Sequence, residues 1–326
     1  MQTNNVTNKM NATIDIFKLI MAILVVGIHT EPFGFNVWLD RGFGILTRLC
    51  VPFFFITSSY FFWRKEKKLT TYLIRLAGIY VIWSFIYLPF DFSGLKNTSA
   101  LNIVLRYFWY GNEHALWYLC GSIIGMLLTY FLYKAFNKKH KLLFFISVLF
   151  LFVGCLLSTY APLFYKILSV KEYTVFNCRD GLFYAFPYVV MGLIIAKDES
   201  YQKSILNKKL IAGLIISMSF LMVESVLFVV FFNTTSTILW MSVLPASYFL
   251  FMLIKNSNIQ LRKDITIFIR KLSTLIYLCH GLFILLFNQM QTIQYFFVVL
   301  LCSIVLSVII ITLSKIKYFR WLQYIY

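Results

Sequence analysis

The chain predicts an all-α integral membrane fold: a bundle of about ten transmembrane helices with both termini cytoplasmic. Three observations carry this. Of the 326 residues, 60% are hydrophobic and only 13% charged, too little charge to cover a soluble surface. The apolar residues fall in ten continuous runs, each close to the roughly 20 residues that a helix needs to cross a hydrocarbon core of about 30 Å. None shows the period-2 alternation of a barrel strand. The third observation is charge. Lys+Arg number 30 against Asp+Glu 12, a formal net charge of +18, and the cations crowd alternate loops.

The runs lie near 14–31, 43–63, 72–92, 114–133, 142–160, 181–196, 210–231, 237–254, 272–289 and 294–314. The first is too long and too polar for a cleaved signal peptide. Between 93 and 113 stands a longer loop, whose aromatic stretch Tyr107–Tyr110 suits the membrane interface. With the N-terminus inside, 21 of the 30 cations fall on the cytoplasmic side and 6 outside, as the positive-inside rule requires. The +18 therefore reports topology, and no basic face on a soluble module points to nucleic acid. The whole chain, 1–326, is predicted to be one polytopic domain in a cell membrane, with lipid as its surroundings. The composition excludes disordered and collagen-like chains. Six scattered cysteines form no Cys-x-x-Cys or Cys/His spacing, so neither a metal site nor a disulfide is expected. There is no Gly-x-Ser-x-Gly nucleophile elbow and no phosphate-binding glycine loop.

Ionisable groups inside a bilayer are costly, which makes them functional candidates. Lys18 and His29, eleven residues apart in the first span, fall about 20° past three full turns, on one helix face and about 16 Å apart. They cannot touch, but they suit the two halves of one path. Alternatively Lys18 snorkels to the cytoplasm and pairs with Asp15 at i−3, and His29 is a packing histidine. Imidazole chemistry near neutrality makes His29 the best proton-transfer candidate. Arg48 lies in the outer third of the second span. His114, Trp117 and Tyr118 open the fourth at its outer side, and Arg179 and Asp180 open the sixth. Glu224 lies two-thirds of the way out along the seventh, and His280 is mid-span in the ninth. Convergence of His29, Glu31, Arg48, His114, Arg179 and Glu224 on one outer cavity is expected. The competing roles are interfacial anchoring for the arginines, a loop position for His114 and a buried ion pair for Glu224. His140, in a Lys-rich stretch, reads as a solvated loop residue. Ser58 and Ser59 read as small packing residues.

At these residues the chain resembles the integral-membrane acyltransferase family 3. The resemblance rests on Lys18-x10-His29, Arg48-Leu-Cys-Val51-Pro52-Phe53-Phe54-Phe55, His114-Ala-Leu116-Trp117-Tyr118, Arg179-Asp180-Gly181-Leu182-Phe183, and Ser273 with Tyr277-Leu278-Cys279-His280. Five motifs in order on ten spans cover nearly the whole chain. The second, sixth and ninth spans look most like the membrane module of vancomycin-resistance serine racemases. The resemblance implies transfer of an acyl group from a cytoplasmic donor, usually acetyl-CoA, to a cell-envelope or small-molecule acceptor. His29 would be the acyl-transfer histidine or general base, and Lys18 its basic partner. Arg48, Trp117 and Tyr118 would shape the pocket. The family's donor-binding Arg-x-x-Arg is half present, with Arg75 in the first position and Gly78 in the second. No permanently bound cofactor is expected, and a bacterial plasma membrane is the expected location. The alternative function is transport of a small amino acid such as serine, or of an envelope intermediate.

Overall fold

The computed structural model describes residues 11–95, 98–111, 116–168, 175–197, 206–232, 239–287 and 293–326. His114 and the cations Lys9, Lys96, Lys171 and Lys203 lie outside them. Among the described residues the chain is helical throughout, without strands. Eight helical segments are long and apolar enough to cross a membrane. Two shorter apolar helices, Gly181–Lys197 and Val243–Asn256, stand where the sixth and eighth spans are predicted.

Helix α1, Ala12–Thr30, starts where the Asn11 side chain accepts from the Ile14 N–H and ends at Glu31, whose φ of 44° turns the chain out of the helix. The second span is broken. Helix α2, Val37–Thr47, stops at Arg48, and α3, Cys50–Arg64, begins two residues later. Pro52 explains the restart: its missing N–H is tolerated only in a helix's first turn. Helix α4 runs over Leu69–Leu95. The expected loop beyond it is itself partly helical. Ser99 caps α5, Ala100–Val104, which runs into a wider turn at Leu105–Tyr110. In this stretch Phe108 is 75% exposed.

Helices α6, Trp117–Ala135, α7, His140–Leu157, and α8, Ala161–Ile167, follow. His140 is thus the first residue of α7 rather than a loop residue. Asp180 caps the sixth span by accepting from the Leu182 and Phe183 N–H groups at 3.0 and 2.8 Å, and α9 runs from Phe186 to Lys197. The remaining helices are α10, Asn207–Phe232, α11, Val243–Asn256, α12, Lys263–Leu286, and α13, Ile293–Leu313. A 3-10 tail, Lys317–Ile325, follows.

Every residue of α9 from Phe186 to Ala196 is buried, as expected of a helix apolar all round. It packs on α3 at backbone range. A Cβ on Gly192 would lie 2.5 Å from the Ile56 carbonyl oxygen, and the Ser59 hydroxyl donates to the Val189 carbonyl at 2.6 Å. Helix α1 packs on α12. There the Arg270 guanidinium meets the buried Asp15 carboxylate as a fork, with contacts of 3.0 and 2.7 Å. Such bidentate pairs are geometrically exacting. Asp15 is therefore taken by Arg270, and the local Asp15–Lys18 pair is not the one formed. At the same end of the bundle Lys197 bridges to Glu66 at 3.0 Å.

Candidate active site

Two cavities lie end to end along α1. The inner one, about 550 Å³, is lined by Lys18, Lys65, Lys67, Lys68, Arg75 and Arg270, with Ser58, Tyr72 and Tyr326 among its other walls. Six cationic side chains and, among the described residues, no acidic side chain line it. The Lys18 ammonium lies 5.7 Å from the centre of the Phe61 ring. Lys67 stands in the turn before α4, and burial lowers its pKa, reinforced by the neighbouring Arg75 and Lys65. The tail closes one side of this cavity. Arg75 donates to the Tyr326 main-chain oxygen at 3.2 Å, and Trp83 donates to the Ile325 carbonyl at 2.9 Å. Gly78 does not line the cavity, and a Cβ there would meet open space.

The outer cavity, about 360 Å³, is lined by His29, Glu31, Asp40, Arg48, Trp117 and Arg179, with Tyr184 and Tyr277. Its charges are of both signs. The α2–α3 break puts Arg48 on this wall. Irregular backbone at membrane depth is tolerated where it borders a cavity. The Arg179 guanidinium sits over the Trp117 ring, 5.1 Å from its centre.

Of the residues expected to converge, His29, Glu31, Arg48 and Arg179 share this cavity. Glu224 does not. It accepts from the Tyr160 hydroxyl, the Ser242 hydroxyl, and the backbone N–H groups of Met241 and Ser242, the last two at 3.1 Å each. Its partners are thus hydroxyl and backbone donors. The carboxylate satisfies backbone donors of the turn at Met241 and Ser242, just before α11 begins at Val243. Trp117 and Tyr118, expected side by side in one pocket, face different cavities. Successive residues on a helix point about 100° apart.

Lys18 and His29 also border different cavities. Tyr277 belongs to both walls. It packs with Phe54 and Tyr118 in a triangle of steeply inclined rings, with centres 5.3 to 5.9 Å apart. The expected continuous path is closed at this aromatic layer. Behind it His280, fully buried, lies with its ring centre 5.3 Å from that of His29. His280 lines neither cavity.

Sequence reasoning missed Tyr72, Tyr326 and the tail as walls, and Arg270 as the partner of Asp15. The first pair carries no motif, and the ion pair joins residues 255 positions apart. Pro52 was a usable signal for the break at Arg48.

A family model described as an acyltransferase domain, of the acyltransferase 3 type, matches residues 11–314. Two curated proteins of Enterococcus faecalis, each named amino-acid racemase, are similar to the chain. One is 29% identical over 219 residues, covering 60% of this chain and 30% of the relative. The other is 24% identical over 340 residues, covering 93% of this chain and 46% of the relative. The chain thus spans less than half the length of these relatives. No solved structure matches.

Proposed function

From the premise that the chain belongs to the acyltransferase 3 family, and is therefore an acyl-transferring, multi-pass membrane protein, we propose the following reaction. It moves an acyl group from a cytoplasmic acyl-CoA, acetyl-CoA in the simplest case, to a hydroxyl acceptor in the outer cavity. The membrane is a bacterial plasma membrane. The observation that carries this reading is the contrast between an all-cationic inner cavity and a histidine-bearing outer one.

The inner cations suit the phosphates of the donor. Arg75 offers a planar fork and the lysines point charges. Lys67 and Lys68 stand in for the arginine that Gly78 lacks. Lys18 faces the donor's path at the cytoplasmic end of α1. In the outer cavity His29 takes the acceptor's proton as the oxygen attacks the thioester carbonyl. Arg48 and Arg179 face the developing oxyanion, while Trp117 supports Arg179. For donor and acceptor to meet, the layer of Phe54, Tyr118 and Tyr277 must part. Turning the Tyr277 ring about its Cα–Cβ and Cβ–Cγ bonds is the smallest motion that does so.

The test is transfer of radiolabelled acetyl from acetyl-CoA by purified protein in nanodiscs, supplied with lipid-linked sugars and small hydroxylated acceptors. Transfer is expected, and His29→Ala is expected to abolish it. Full transfer by His29→Ala would reject the assigned role.

One observation favours a second reading. Two cavities divided by a single aromatic layer also suit a transporter that opens to one side at a time, and the relatives' name points to an amino acid as cargo. That reading requires counterflow of labelled serine in proteoliposomes without acyl-CoA. Absence of flux alongside acetyl transfer would eliminate it.

A further inference from the structure

The ring of His280 is oriented entirely from within its own helix. Its Nδ1 lies 2.7 Å from the Tyr277 carbonyl oxygen and 3.2 Å from that of Ile276. Carbonyl oxygens only accept, so Nδ1 carries the proton and Nε2 holds a bare lone pair. That Nε2 is buried and has no hydrogen-bond partner among the described residues. The arrangement is costly and useless to the fold. A buried acceptor left unpaired is destabilising, and bonds to the carbonyls three and four residues back tie α12 to no other helix. What the arrangement does provide is an imidazole base held in one tautomer, beside His29.

An imidazole nitrogen lies roughly 1.2 Å from its ring centre. With a nitrogen of each ring turned onto the line between the centres, which are 5.3 Å apart, about 3 Å would separate the two, within hydrogen-bond range. Histidine χ2 is a soft torsion, so a modest turn of the His29 ring completes the contact. The other groups around the pair are Tyr277, with its ring centre 5.9 Å from that of His280, and the charges on the outer wall, Glu31, Asp40, Arg48 and Arg179.

We propose that His280 is a positioning residue for His29: its Nε2 accepts the His29 N–H, fixing that ring's tautomer and holding the imidazolium as it forms. This rests on the acyl-transfer reading above. In the step, the acceptor oxygen bonds to the thioester carbon and the C–S bond breaks. The acceptor's proton moves to the free nitrogen of His29, whose other N–H donates to His280. The proton then passes from His29 to the departing thiolate. His280 thus occupies the third place in a nucleophile–base–orienter series, as a neutral acceptor that needs no buried charge.

The experiment compares His280→Gln, His280→Asn and His280→Leu in nanodiscs. Glutamine puts an amide oxygen near the Nε2 position, whereas asparagine reaches only the Nδ1 position. The Leu and Asn variants are expected to lose about 10²-fold in kcat, with both KM values within about twofold. Gln is expected to recover most of the loss. CoA binding at the inner cavity, measured by calorimetry, serves as the check on folding. In parallel, ¹⁵N spectra of protein labelled at its four histidines read the ring nitrogens directly. His280 is expected to show a protonated Nδ1 and a bare Nε2, and the His29 N–H signal to shift in His280→Leu. A proton on Nε2, an unmoved His29 signal, or unchanged kcat in a folded His280→Leu would each overturn the proposal. If the wild type transfers no acyl group at all, the function above fails, while the spectra still decide whether the two histidines are coupled.

Discussion

The inner and outer cavities meet at one tyrosine and are built on opposite charge patterns. Toward the Lys-rich end, six cationic side chains line the wall with no acidic side chain among the described residues. Beyond Tyr277, two carboxylates face two arginines around a histidine. A uniformly basic cavity attracts anions without choosing among them, and its field falls off within a Debye length. A small cavity of both signs binds by arrangement, so it selects. On the proposed reaction the difference becomes a division of labour: affinity for a phosphate-rich donor on one side, and discrimination of the acceptor together with chemistry on the other.

That division can be broken first at His29. His29→Ala is expected to cut transfer by about 10³-fold, within the range of general-base removal, while CoA binding to the inner cavity stays within about twofold. Loss of both together would mean that the cavities act as one. Arg75→Ala is the converse. It should raise the donor KM by about 10- to 100-fold, as befits a charged hydrogen bond worth roughly 1.5–3 kcal/mol, and leave the acceptor KM alone. Steady-state kinetics with each substrate varied in turn checks it.

Gly192→Leu should spare neither side. The added side chain would press on the α3 backbone at Ile56, and α3 contributes Phe54 and Ser58 to one cavity and Arg48's neighbour Val51 to the other. Overpacking of this kind costs about 1–3 kcal/mol, visible as a lower thermal midpoint, with donor and acceptor affinities falling in step. A smaller effect sharpens the comparison through pH. Lys67 titrates below the usual lysine range because of burial and its cationic neighbours, and a bound anion holds its proton on. Donor affinity should therefore be complete at pH below the lowered pKa of Lys67 and decline as pH rises through it, a decline that begins below the usual lysine range. Lys67→Arg, charged throughout, should flatten the calorimetric profile. Smallest of all, Gly78→Arg should tighten the donor a few-fold. Its side chain enters open space, one helical turn beyond Arg75, and nothing in the outer cavity should respond.

The spans were legible because a bilayer demands long apolar runs, and ten of those predicted correspond to helices here. So was the face shared by Lys18 and His29, which helical periodicity alone fixes. What the periodicity could not convey was depth across helices. It aligned the two residues but not the wall between them, which is made by Phe54 of α3, Tyr118 of α6 and Tyr277 of α12. Glu224 was read as a cavity residue from its height along the span. Height says nothing of azimuth, and its carboxylate turned to a backbone turn that only the folded chain brings near. The Asp15–Arg270 fork was illegible for the same reason: a neighbour at i+3 looks nearer in sequence than a partner on α12.

The aromatic layer also has an electrical meaning. The two cavities share Tyr277 as a wall, with the rings of Phe54 and Tyr118 packed against it. Where both are hydrated, the voltage across the membrane drops mainly over the ring layer instead of over about 30 Å of hydrocarbon. Moving one elementary charge through it then involves about 2.3 kcal/mol per 100 mV. An acetyl group is uncharged and an amino-acid zwitterion carries no net charge, so either crosses without electrical work. A lone proton crossing there would be driven or resisted by the full voltage. On either proposed function, an opening of the layer at Tyr277 would therefore be sensitive to the membrane voltage only for species that carry net charge.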